Sequence, residues 1–149
     1  MRLCRLLSLF CLALVFASAV SARAASPYDK VVVESAATSI YIGKVTLLLS
    51  PLTRKDGVYS GDYRAKVFPY FFMNEHGSFR MNVSDEDLAR VIKGEAIDFT
   101  GEAENSDREA RKITGRATPD ETTHGKIKVR IFVTKKIQLI FNTRYRFAE

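Results

Sequence analysis

The chain has 149 residues, with 23 Lys and Arg against 17 Asp and Glu, 10 Phe, 6 Tyr, no Trp, 2 Cys and 2 His. At 46% apolar and 27% charged it is too apolar for a disordered chain, and its length suits one domain. The formal net charge of +6 suggests an anionic partner, but much of that charge belongs to the first residues.

Arg2 and Arg5 precede an apolar run, Leu6 to Val20, that is diluted by serines and shorter than the about 20 residues a spanning helix needs. Ala22-Arg23-Ala24 then offers the small-x-small pattern of a signal-peptidase site, so residues 1–24 read as a cleaved export signal and residues 25–149 as a single domain. Phe10 before Cys11 argues against a lipoprotein signal. Cleavage removes Arg2, Arg5 and Arg23, so the remaining chain is near +3, which argues against nucleic acid as the partner. Cys4 and Cys11 leave as well, and with them any disulfide, thiolate metal site or cysteine nucleophile. A disulfide-free exported domain fits a periplasmic or secreted bacterial protein.

From Val31 onward the chain alternates apolar and polar residues between turn signals. Strands are expected over 31–35 and 40–49, and Lys55-Asp56-Gly57 supplies a hairpin turn. Residues 58–72 read as one long extended segment, with Pro69 placing it at an edge or bulge. Asn74-Glu75-His76-Gly77 reads as a turn, and Phe79, Met81 and Val83 as the buried face of a strand. Ser84 to Lys93 is the one helix signal: a serine cap, acids at 85–87, an apolar stripe of Leu88, Val91 and Ile92, and Gly94 to end it. Strands follow over 95–104, 110–118, 126–134 and 137–147, joined by short turns, one of them spanning Pro119 to Gly125. The expected fold is all-β with one short helix: an antiparallel barrel or sandwich of about eight strands, rich in meander.

The residues hold little recognisable chemistry. His76 and His124 fall in expected turns, no GxSxG elbow or glycine-rich phosphate loop occurs, and the carboxylate pairs are explained by helix capping or turns. No metal-ligand spacing stands out, so the reading is a non-enzymatic chain with no metal or cofactor. Two features rise above this. Val67 to Met73 is apolar on both faces and carries four aromatics; it is either a doubly buried strand or, through Phe68, Tyr70, Phe72 and Met73, the contact for an apolar ligand or lipid. Lys126, Lys128, Arg130, Arg144 and Arg146 form a basic row on the outer face of the last hairpin. The row is either a solvated face relieved by Glu102 and Glu104 or a site for an anionic envelope component, and its lack of interleaved aromatics argues against nucleic acid.

Two functions of different class follow: an exported module binding an apolar or amphiphilic ligand inside the β-architecture, or an envelope interaction domain with a filled interior. A connected apolar cavity of several hundred cubic ångströms, reached past Phe68, Tyr70 and Phe72, favours the first.

Overall fold

Apolar residues recurring at every second position give ten strands and one helix within residues 26–148, the residues that the computed structural model describes; the export leader expected over residues 1–24 lies outside them. In chain order the elements are β1 (Lys30–Val33), β2 (Ala36–Ile40), β3 (Gly43–Leu49), β4 (Leu52–Lys55), β5 (Val58–Phe68), a 3-10 turn (Phe71–Met73), β6 (Glu75–Asn82), α1 (Asp85–Ile92), β7 (Ile97–Asn105), β8 (Ala110–Pro119), β9 (His124–Phe132) and β10 (Gln138–Phe147).

All pairings are antiparallel, and eight strands close into a barrel. From β5 the chain runs as a meander through β6, β7, β8 and β9 to β10. β1 pairs with β10 on one edge, Val31 opposite Phe147, and with β4 on the other, Val31 opposite Leu52; β4 then returns to β5. The alternatives of barrel and sandwich therefore resolve to a barrel, which leaves these eight strands no open sheet edge at the level of β1 and β4. The β2–β3 hairpin is an extension: β3 pairs with the far half of β5, from Leu49 opposite Tyr63 to Lys44 opposite Phe68.

Three local expectations change. β5 stops at Phe68 instead of running to residue 72, because Pro69 has no N–H to give to the ladder, and a 3-10 turn follows. Glu75, His76 and Gly77 are the start of β6, opposite Ala65, Arg64 and Tyr63, and His124 and Gly125 start β9, so neither histidine sits in a turn. The strand expected over 40–49 is broken at Tyr41-Ile42, which makes the β2–β3 turn.

The turn at Asp56-Gly57 holds both residues at positive φ, 51° and 79°, as a two-residue hairpin between right-twisted strands requires. Helix α1 begins as its sequence dictates: the Asp87 amide donates to the Ser84 hydroxyl at 3.1 Å, and three acids occupy the positive end of the dipole. Gly94, at φ 89°, ends it. Removing the cap in Ser84→Ala is expected to cost ~1 kcal/mol in urea denaturation with the barrel intact.

Phe79, Phe141, Leu52 and Ile113 fill the interior. The outward positions of β6 to β10 carry exposed charges such as Arg80, Glu102, Arg116 and Lys128. That polarity is the reverse of a membrane-spanning barrel, whose outer band is apolar.

Candidate functional site

The two ends of the barrel differ. At the end holding the β4–β5 turn, α1 lays Leu88 and buried Val91 against Val83, Ile97 and Phe99, and the space left there is only about 30 Å³. The Tyr59 hydroxyl is satisfied in that region by donating to the Tyr28 carbonyl at 2.6 Å, and burial pushes its pKa well above the usual phenol range. This end is closed.

At the other end the β1–β10 ladder stops with Val33 opposite Tyr145 and the Glu34 amide on the Arg144 carbonyl, and β2 continues beside β10 without pairing to it. A cavity of about 610 Å³ lies here, lined from both strands, within the range that takes small molecules. Its walls are apolar: Val45 and Leu47 from β3, Ala65 and Val67 from β5, Ile131 from β9, Leu139 and Phe141 from β10. Tyr41, Ile42, Met73, Lys136 and Ile137 form its rim.

One polar cluster interrupts the apolar lining. Arg111 grips Glu75 through two bonds, Nη2 to Oε2 at 2.6 Å and Nε to Oε1 at 3.1 Å, while the Tyr63 hydroxyl donates to Glu75 Oε1 at 2.5 Å. Buried Asn105 donates to Glu75 and Glu109, and its own oxygen accepts from the Asp107 and Glu109 amides. Arg111 also donates to the Val133 carbonyl at 3.2 Å. The Arg111 bonds hold Glu75 well below the ordinary carboxylate range, at about 2, and Glu75 in turn raises Arg111. Burial, assisted by the bond to Glu75, pushes Tyr63 upward. Arg111 neutralises Glu75, and the main donors of the cluster are already engaged.

Of the aromatic segment singled out in sequence, Met73 reaches the cavity. Phe68 and Phe72 are exposed, Phe72 at 84%, and Tyr70 is half-buried, packing on the core and edge-on to Phe72 at 5.9 Å. The cavity is reached past Tyr41, Ile42, Met73 and Ile137 instead. Tyr63, Glu75 and Arg111 were not among the expected site residues. His76 and His124 do not meet: the first faces Arg64 across β5, the second Arg146 across β10.

The basic row lies on one outer wall. Lys126 is directly opposite Arg144, and Lys128 opposite both Asn142 and Arg116. Glu102 and Glu104 do not relieve it, because they face Arg80 and Lys112, and Ser78 and Ala110. Arg116 is paired with Asp98 at 3.0 Å and Lys126 loosely with Asp120 at 3.9 Å. Among the described residues no carboxylate lies within 4.0 Å of Lys128, Arg130, Arg144 or Arg146, and a shallow trough of about 430 Å³ runs between Arg116, Lys126, Lys128 and Arg144.

Comparison with protein-family models, with curated proteins and with solved structures finds no match to this chain.

Proposed function

We propose that this protein is an exported, non-enzymatic module that holds the apolar chain of an amphiphile in the open end of its barrel. The observation that carries this reading is the apolar-walled cavity of about 610 Å³, open past Tyr41, Ile42, Met73 and Ile137. A filled interior would have suited an envelope interaction domain instead. The polar cluster inside gives the ligand's orientation. Glu75 has Arg111, Tyr63 and Asn105 as partners already, so a charged head group gains little within the cavity, whereas Lys136 stands free at the rim. The chain goes in and an anionic head stays outside.

Titration with a dansyl-labelled long-chain fatty acid tests this. The parent protein is expected to give saturable fluorescence enhancement, and Ala65→Trp, which fills the cavity from the β5 wall, to weaken it at least tenfold, about 1.4 kcal/mol. Absence of saturable enhancement in the parent would return the interior to a purely structural role.

The unpaired cations of the outer wall favour a second reading, contact with an anionic envelope component. Retention on an immobilised sulfated polysaccharide is expected to fall steeply with salt, since screening shortens to about 8 Å at physiological ionic strength. Lys128→Glu/Arg144→Glu is expected to elute early; retention equal to the parent's would exclude the wall.

A further inference from the structure

The exposed large apolar side chains are not scattered. Tyr41 and Ile42 come from the β2–β3 turn, Phe71, Phe72 and Met73 from the β5–β6 connection, and Ile137 from the loop before β10. These three connections meet at the open end: Tyr41, Ile42, Met73 and Ile137 share the cavity rim, and β3 begins against the end of β5, with Lys44 opposite Phe68. Phe68 stacks edge-on with Phe71 at 5.8 Å, continuing the apolar surface outward. The opposite end presents no exposed large apolar side chain among the described residues. Scattered apolar residues need no explanation, but a cluster rimmed by polar groups marks a contact surface.

Lysines accompany these apolar tips. The rim loops and adjoining strand ends carry Lys44, Lys66, Lys135 and Lys136, and the acids at this end are partly neutralised by Arg111, which binds both Glu75 and Glu109. The closed end mixes both signs: its acids Asp85, Asp87 and Asp120 are paired with Arg54, Arg90 and Lys126, and Lys55, Lys93 and Arg146 stand at the same end. Aromatic and aliphatic tips ringed by lysines suit the boundary between head groups and acyl chains, with lysine stems lying along apolar surface and their ammonium groups meeting lipid phosphates.

We propose that the open end of the barrel docks on a membrane surface containing anionic lipid, with the rim loops inserted at the head-group boundary. The polar outer wall keeps the barrel on the bilayer instead of within it, and the closed end offers no exposed large apolar tip for insertion among the described residues. Docking needs no filled cavity; only the further statement that a lipid chain passes from the bilayer into the mouth rests on the amphiphile reading.

The chain contains no tryptophan, so Phe72→Trp makes a single reporter on an exposed tip. Its emission is expected to shift to the blue on phosphatidylcholine vesicles containing phosphatidylglycerol, and much less on phosphatidylcholine alone. In flotation with the mixed vesicles, Tyr41→Ser/Ile137→Ser and, separately, Lys44→Glu/Lys135→Glu are expected to bind at least tenfold more weakly than the parent. Lys128→Glu/Arg144→Glu on the outer wall and the cavity-filled Ala65→Trp are expected to float like the parent. The proposal is overturned by a parent that does not float at low salt, by rim variants that float normally, by loss confined to the outer-wall variant, or by a rim-dependent dimer in sedimentation velocity without vesicle binding. The two ideas fail separately: Ala65→Trp that floats but no longer takes up the dansyl acid leaves docking and the ligand site both standing, and a parent that floats without taking up the acid loses only the ligand site.

Discussion

Phe141→Ala is expected to destabilise the protein by ~3–5 kcal/mol, the largest effect of any single truncation considered. Phe141 is 1% exposed, stands on β10 opposite Val129, and belongs both to the central core and to the wall of the open-end cavity. Removing its ring loses the transfer energy of a buried aromatic and leaves a void. That void joins a cavity that already exists, so surrounding side chains have little reason to collapse into it. Urea denaturation measures the loss, and the dansyl acid titration reads the second consequence, a larger cavity. Phe72→Ala, with the same chemical change on an 84% exposed ring, is expected to stay within about 0.5 kcal/mol of the parent. Similar losses at the two positions would contradict the assignment of one ring to the core and the other to the rim.

The contrast between these phenylalanines also marks where sequence reading works. Period-two alternation identified the core faces of β6, β9 and β10, and local chemistry identified the Asp56-Gly57 hairpin and the Ser84 cap, because each signal is carried by adjacent residues. The aromatic run 68–73 was open to misreading for the same reason. It has the composition of a buried strand, and only the position of Pro69 and the closing geometry make it a rim connection. The polar cluster leaves a trace that could have been followed: Tyr63 is in phase with Tyr59 and Val67, Glu75 with Phe79 and Met81, Arg111 with Ile113 and Ala117. A charged residue at an inward phase implies a partner at another inward phase, since an unpaired buried charge is too costly. What alternation cannot supply is which strands meet, and therefore that Glu75 and Arg111, 36 positions apart, share two bonds. That β2 lies beside β10 without pairing, both lining the cavity, depends on that long-range closure as well.

Glu75→Gln tests the same closure through pH. Arg111 holds the Glu75 carboxyl at about 2, below its ordinary 4.5, so the folded state favours the ionised form. A depressed carboxylate adds stability that is fully present above pH 4.5 and is lost as pH falls toward 2. The parent's melting temperature is therefore expected to exceed that of Glu75→Gln at neutral pH, where losing the charge-assisted bonds costs ~2 kcal/mol, and the gap is expected to close across that acidic window. A gap that is constant with pH would mean the carboxylate charge is not what Arg111 stabilises. The substitution also alters what a ligand meets. With Glu75 neutral, Arg111 keeps only the longer 3.5 Å ion pair with exposed Glu109, and an anionic head group then has more reason to enter. The dansyl acid is expected to bind Glu75→Gln more tightly than the parent, and its methyl ester, which carries no charge, to bind both equally. Equal tightening for acid and ester would point to a change in cavity shape, whereas selective tightening for the acid reports that in this variant the carboxylate head enters and reaches Arg111.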